Sequence, residues 1–462
     1  MQKLLDKLNL NTWIRYGIAA ILIAVPLYPK FPFLQVPGIY VSIRIEDFLI
    51  LVVTLLWFFN TLPTIFKLWK NSIVRAIVLL LVVTLLATVS GILFLHTTTA
   101  LVGLLQWGRR VEYFMGFFIA LTSIKSQKDV EFYIKCIGIV LILVFIYGVA
   151  QKYFGAPVIT TQNEEYSKGI ALRYVPGGHL ASTFAGHYDM ATYIILTTPF
   201  FVGLFFATKE TLQKMFGKID TRIVRAGILF IIATSFWLMV NAASRISAVS
   251  YVMALTITLF LLRKYKYIPV VVIITVIFAF ATSNLFDRYL NIFDVIKRKL
   301  QSFIPTAYAQ SPTSALPEST PIPAAPALED RSTSIRLAIE WPRSIRAFLK
   351  NPLIGTGYGS TTLATDNDYL RALGETGILG VLSLLMVYLR VIWEFVKKSW
   401  PKRLFSKKEI DFRTIYLAGI IGAIPGILLN AVFIDVFEAS KFAMTLWFIV
   451  GFGIAMIYAK ND

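Results

Sequence analysis

Stretches of about 20 apolar residues recur along almost the whole of this 462-residue chain, and nothing else constrains its fold so strongly. In lipid such a stretch must satisfy its backbone polar groups within itself, so each reads as a membrane-spanning helix. About twelve are predicted, near 12–28, 44–60, 73–95, 100–122, 131–154, 187–207, 225–243, 246–262, 268–285, 369–396, 414–434 and 438–459. The eighth and the last three contain polar interruptions. With 57% hydrophobic and 15% charged residues and a mean hydropathy of +0.69, a soluble globular protein is excluded. The expected fold is all-α: a polytopic transmembrane helical bundle with a large extracytoplasmic loop containing amphipathic helices, forming a single integral membrane domain over 1–462. The first span is not expected to be a cleavable signal, because Tyr28 is followed by Pro29-Lys-Phe-Pro32 rather than by small residues.

A net charge of +19 would point to nucleic acid in a soluble protein, but its distribution points to a bilayer. Basic residues gather in alternate loops: Lys67 and Lys70; Lys125 and Lys128; Lys209, Lys214, Lys218 and Arg222; Arg263, Lys264 and Lys266; Lys397 to Lys408. The intervening loops are nearly bare. By the positive-inside rule both termini are cytoplasmic, in the inner membrane, and the loops 155–186 and 286–368 lie outside. No nucleic-acid partner is expected.

Cys136, the sole cysteine, excludes a disulfide framework, and His96, His179 and His187 show no metal-ligand spacing. No metal or other cofactor is expected.

The large loop has three parts. Residues 286–303 place Phe286, Leu290, Phe293, Ile296 and Leu300 at helical spacing, as in an interfacial helix. Six prolines between 305 and 330 make a linker that cannot pack. In 331–350, Arg336, Arg343, Arg346 and Lys350 fall within roughly 80° of helical arc, away from Ile345 and Leu349, with Pro342 expected to kink or divide the helix. Attraction to anionic lipid explains this basic stripe as readily as a ligand does.

Ionisable residues inside spans are costly and therefore functional candidates. Arg109, Arg110 and Glu112 sit in the middle of the fourth span, either as a ligand site or as an ion pair tying helices together. Arg245 lies at a tight outer turn, Ala242-Ala-Ser-Arg245. Lys441 is spaced to pair with Glu438. Arg173 and Gly177 to Asp189 bring glycines, hydroxyls and two imidazoles to the mouth of the sixth span. Arginines converging on an outer cavity suit a phosphate or pyrophosphate, since a guanidinium stays charged and offers a matching fork of donors. A membrane-borne phosphorylated substrate, or an organic anion carried by a transporter, would fit.

The densest polar block runs Arg336-Leu-Ala-Ile-Glu-Trp341, Asn351-Pro-Leu-Ile-Gly-Thr-Gly357, Asp366-Asn-Asp-Tyr-Leu370 and Gly374-Glu-Thr-Gly-Ile-Leu-Gly380. Together with Ser42 to Asp47, Ser182 to Tyr193, Ser244-Arg245 and Asp435 to Trp447, it resembles the O-antigen ligase/polymerase superfamily of multi-spanning glycosyltransferases. The resemblance implies a glycan donor on a polyprenyl (undecaprenyl) pyrophosphate and transfer to a glycan or lipid-linked acceptor hydroxyl. It implies no nucleotide and no metal, an inverting mechanism, and a role in cell-envelope polysaccharide biosynthesis.

The family's essential arginines match Arg245 and Arg336, which would bind the pyrophosphate and stabilise its developing charge. Ligases carry a histidine where this chain has Asp366, which favours a polymerase or a divergent polysaccharide-assembling member. Asp366 is either the general base or a cap on the tenth span. Arg173, Arg343, Asn367, Tyr369, Glu375, Lys441, Arg109 and Arg110 are further substrate-binding candidates. A transporter or flippase for lipid-linked glycans is the competing reading; it predicts discontinuous helices with symmetric interruptions near the midplane.

Overall fold

The computed structural model describes residues 10–29, 33, 43–158, 174, 178–281, 336–361, 365–399 and 410–458. The expected interfacial helix at 286–303, the linker at 305–330, Arg173 and most of the loop 155–186 lie outside these. The described elements are helical: α1 Leu10–Leu27, α2 Ile45–Thr61, α3 Ser72–Leu93, α4 Ala100–Ser123, α5 Gln127–Phe154, α6 His187–Phe205, α7 Thr221–Ala242, α8 Arg245–Leu261, α9 Ile268–Ala281, α10 Trp341–Lys350, α11 Asp368–Ser399, α12 Phe412–Asn430 and α13 Ser440–Tyr458. No sheet occurs among the described residues.

Each expected span coincides with one of these helices. Nine are long and apolar enough to cross a membrane; α4 carries three ionised residues near its middle, and α8 and α9 are short. The protein is a multi-pass membrane protein, with nine candidate spans among the described residues where about twelve were expected.

The polar interruptions that weaken the late spans have a packing cause. α13 and α6 run through the interior, with every residue from Lys441 to Met456 and from Met190 to Leu204 buried. Their polar groups face other helices rather than lipid. α12 packs on α6 and α8. A side chain at Gly426 would stand 2.5 Å from the Ser250 carbonyl, and one at Gly422 2.9 Å from that of Ala254. This Gly422-x-x-x-Gly426 face lets α8 and α12 approach backbone to backbone, which fixes the turn that begins α8.

Pro342 divides the basic segment as expected: a π-helical turn, Arg336–Glu340, ends where α10 begins with proline in its first turn. Leu337, Ile339, Ile345 and Leu349 are exposed, the arrangement of a helix lying at an apolar boundary.

Candidate functional site

The glycines of the dense block form a latch. Gly377 interrupts α11 with φ 62° and ψ −170°, a conformation essentially confined to glycine. The loop after α10 enters that interruption: the Thr356 and Gly357 N–H groups donate to the Gly374 and Glu375 carbonyls at 3.0 and 2.8 Å. In return Ile378 and Leu379 donate to Pro352 and Leu353 at 2.9 and 3.1 Å. A Cβ on Gly355, whose φ is +81°, would lie 2.5 Å from the Glu375 backbone. The glycines therefore close a backbone-to-backbone joint.

Glu375, expected to contact substrate, belongs to this joint. It is 1% exposed and accepts from the Thr361 hydroxyl at 2.5 Å and the Gly359 N–H at 3.2 Å. Asn367 also serves the fold. Its side chain accepts from the Leu370 N–H at 2.9 Å, so Asn367 rather than Asp366 caps α11. Tyr369 is 43% exposed, with its hydroxyl donating to the Leu428 carbonyl at 2.9 Å.

Asp366 has a different partner. Its Oδ2 accepts from Arg336 Nε at 3.0 Å and Nη2 at 2.8 Å, with side chains 25% and 12% exposed respectively. The residue is held at φ +50°, the left-handed region that aspartate tolerates better than most. Burial, with Asp435 adding, raises the Asp366 carboxyl against the opposing pull of Arg336. Burial also opposes the charge on Arg336, but Asp366 and the Tyr188 hydroxyl outweigh it and hold the guanidinium above its ordinary value.

Below this pair lies an ionic cluster that the sequence disclosed only in part. Arg371 donates to Asp435 at 3.0 Å and lies 3.7 and 3.8 Å from Glu375 and Glu438. Glu438 also pairs with Arg110, whose guanidinium stands 5.0 Å over the Tyr358 ring. Burial alone would raise the Glu438 carboxyl; Arg110 and Arg371 more than reverse that and hold it below the usual range. Asp435 accepts from the backbone N–H groups of Thr365 and Asn367, and Asp368 from those of Val436 and Phe437. These bonds fix the α12–α13 loop against the start of α11.

Arg109 lies 3.5 Å from Asp47. Arg110 and Arg109 are thus both engaged by acidic side chains, which matches the helix-tying alternative. A cavity of about 80 Å³ is lined by Arg110, Tyr358, Arg371, Glu375 and Glu438 among others; neither Arg245, Arg336 nor Asp366 borders it.

Lys441 does not pair with Glu438. It is 1% exposed, and its ammonium donates to the carbonyls of Pro26, Tyr28 and Thr183 at 3.1, 2.7 and 2.6 Å, 5.2 Å over the Phe184 ring. That is a clamp joining α1, α13 and the segment before α6. The i, i+3 spacing with Glu438 misled because the helix begins only at Ser440.

Ser244 caps α8, its hydroxyl accepting from the Ser247 N–H, and Ala243 turns through φ +50°, so Arg245 opens the helix. His179 Nδ1 lies 3.1 Å from the Ala242 carbonyl and stacks on His187 at 4.1 Å, which in turn meets Tyr188 at 3.9 Å. Since Tyr188 touches Arg336, an aromatic relay connects the Arg245 turn to the Arg336–Asp366 pair. Arg343 lies on α10 near Glu340. Among the described residues no group of three or more His, Cys, Asp or Glu side chains is disposed to hold a metal ion.

A helical bundle whose Arg336–Asp366 ion pair stands beside the entry to α11 defines a multi-pass membrane protein with a polar site between its spans. Residues 229–385, from within α7 to the middle of α11, match the family model described as O-antigen ligase. The family is of the glycosyltransferase type, acts in polysaccharide biosynthesis and implies lipid-linked glycan substrates. The matched stretch includes Arg245, Arg336, Arg343, Asp366, Asn367, Tyr369 and Glu375 and leaves out Arg109, Arg110, Arg173 and Lys441. No curated protein matches the chain.

Proposed function

We propose that the protein is an inverting, metal-independent glycosyltransferase that joins polyprenyl-pyrophosphate-linked glycan units on the outer face of the cytoplasmic membrane, as a polymerase or polysaccharide-assembling member of its family. The observation that carries this is the Arg336–Asp366 pair, inside the matched domain and linked by Tyr188, His187 and His179 to the turn bearing Arg245. Two guanidiniums suit a pyrophosphate leaving group, whose charge grows as the glycosidic bond breaks. Asp366 holds the Arg336 fork in place, and Arg336 and Arg245 donate hydrogen bonds to the phosphate oxygens. Holding two membrane-borne substrates at one site supplies much of the remaining rate.

The break in α11 is a feature a transporter would use, since carriers bind their cargo at interrupted helices. Here the protein's own loop fills the interruption, which favours the enzyme. The decisive assay uses purified protein and a synthetic polyprenyl-pyrophosphate oligosaccharide. Longer glycan and released polyprenyl pyrophosphate are expected, both lost in the double variant Arg245→Ala, Arg336→Ala. Undiminished product in that variant refutes the assignment.

A further inference from the structure

One turn of chain beside the Arg336–Asp366 pair carries two polar groups that the fold does not use. Glu340 closes the π-helical turn that Arg336 opens, and π-helical turns concentrate at functional sites. One carboxylate oxygen of Glu340 and the indole N–H of the adjacent Trp341 are both buried and have no hydrogen-bond partner. Buried polar atoms are nearly always paired, so two neighbouring orphans beside a fixed ion pair call for a ligand that supplies a donor to one and an acceptor to the other. A sugar hydroxyl does both.

We propose that Glu340 is the general base that accepts the proton of the acceptor hydroxyl, with the Trp341 N–H donating to an oxygen of the same sugar. This rests on the glycosyltransferase reading above and assigns the acceptor half of that site. The acceptor O–H proton passes to the Glu340 carboxylate, and the hydroxyl oxygen forms a bond to the anomeric carbon. The bond from that carbon to the pyrophosphate oxygen breaks, its electron pair leaving with the pyrophosphate held by the arginines. Glu340 then releases its proton to solvent.

Asp366 is the poorer base, because its Oδ2 already accepts two hydrogen bonds from Arg336. The groups acting on Glu340 favour the assignment. Burial and the charges of Asp366 and Asp435 push its carboxyl up to about 7, against Arg336 and Arg343, and a base poised near the working pH is the most effective. The indole ring lies 6.3 Å from the Phe433 ring, centroid to centroid.

The test measures turnover against pH for wild type, Glu340→Gln, Asp366→Asn and Trp341→Phe, with a synthetic lipid-pyrophosphate donor and a free oligosaccharide acceptor. Glu340→Gln keeps the side chain's shape. It is expected to lower turnover by about 100-fold or more, to abolish the acid limb of the profile near neutrality, and to leave the donor KM within about threefold. Trp341→Phe keeps the ring and is expected to raise the acceptor KM while preserving the acid limb. Wild-type transfer with an unchanged profile in Glu340→Gln overturns this inference alone, and if the acid limb then vanishes only in Asp366→Asn the base is Asp366; a mere downward shift of the limb in Asp366→Asn is the expected result, since the Asp366 charge raises Glu340. Folded wild-type protein that forms no product overturns the glycosyltransferase reading and this inference with it.

Discussion

Replacing Lys441 with methionine separates a clamp from a ligand. The ammonium donates to three backbone carbonyls contributed by two separate parts of the chain, and it is 1% exposed. Each charge-assisted bond of this kind contributes about 1.5–3 kcal/mol, but burying the ammonium costs several kcal/mol, so the three do not simply add. Methionine fills similar space and removes the buried charge, yet it leaves the Pro26, Tyr28 and Thr183 carbonyls short of a donor at about 1–3 kcal/mol each. Part of that loss is recovered because the Pro26 carbonyl also accepts from the Thr183 hydroxyl at 2.8 Å. The net expectation is a destabilisation of about 2–5 kcal/mol.

The assay is apparent Tm in detergent at fixed scan rate, since membrane proteins of this size commonly unfold irreversibly. A drop of several degrees is expected, with the donor KM of the surviving active fraction unchanged. An apparent Tm within about 1 °C of wild type, combined with a roughly tenfold higher donor KM, would refute the clamp and return Lys441 to the substrate.

The latch predicts that Gly377→Ala destabilises by about 3 kcal/mol or more, because a Cβ there meets the Leu353 carbonyl at 2.5 Å in a conformation alanine avoids. Gly227→Ala, in open space within α7, should be neutral or slightly stabilising; equal effects of the two on apparent Tm would contradict the latch. Glu438→Gln leaves two buried guanidiniums short of a counter-charge and should cost about 3–5 kcal/mol, read as reduced thermal stability at neutral pH. Asp366→Asn loosens the Arg336 fork, so its main effect should be a raised donor KM. For Glu340 the folded carboxyl stays protonated up to about 7, while the unfolded one ionises near 4.5. Stability present below the lower value is therefore lost as pH rises through that window. Glu340→Gln should raise apparent Tm near pH 8 by the equivalent of about 1–2 kcal/mol after solvent screening, and leave it nearly unchanged near pH 4. A gain of the same size at both values would show that Glu340 does not titrate there.

How legible each residue is in the sequence depends on whether its partners are close in the chain. The helices were legible because the twenty-residue apolar period is local, and the division at Pro342 because a missing N–H acts at its own position. Arg245 and Arg336 were legible as types, since rim arginines in a hydrophobic chain have few other uses. What sequence alone does not disclose is which carboxylate each arginine meets. Arg336 meets Asp366 across 30 residues, and Arg110 meets Glu438 across more than 300, through packing of α4 on α13. Lys441 misleads for the converse reason: Glu438 is near in sequence, but three carbonyls from distant segments outcompete it. Arg371 was within reach, four residues before Glu375 on one helix, as was the Gly422-x-x-x-Gly426 face. Glu340 was hidden by its surroundings, lying in a basic stripe whose arginines draw attention. Its interest arises from an unmet hydrogen bond, and an unmet bond becomes visible only when every neighbour has been placed.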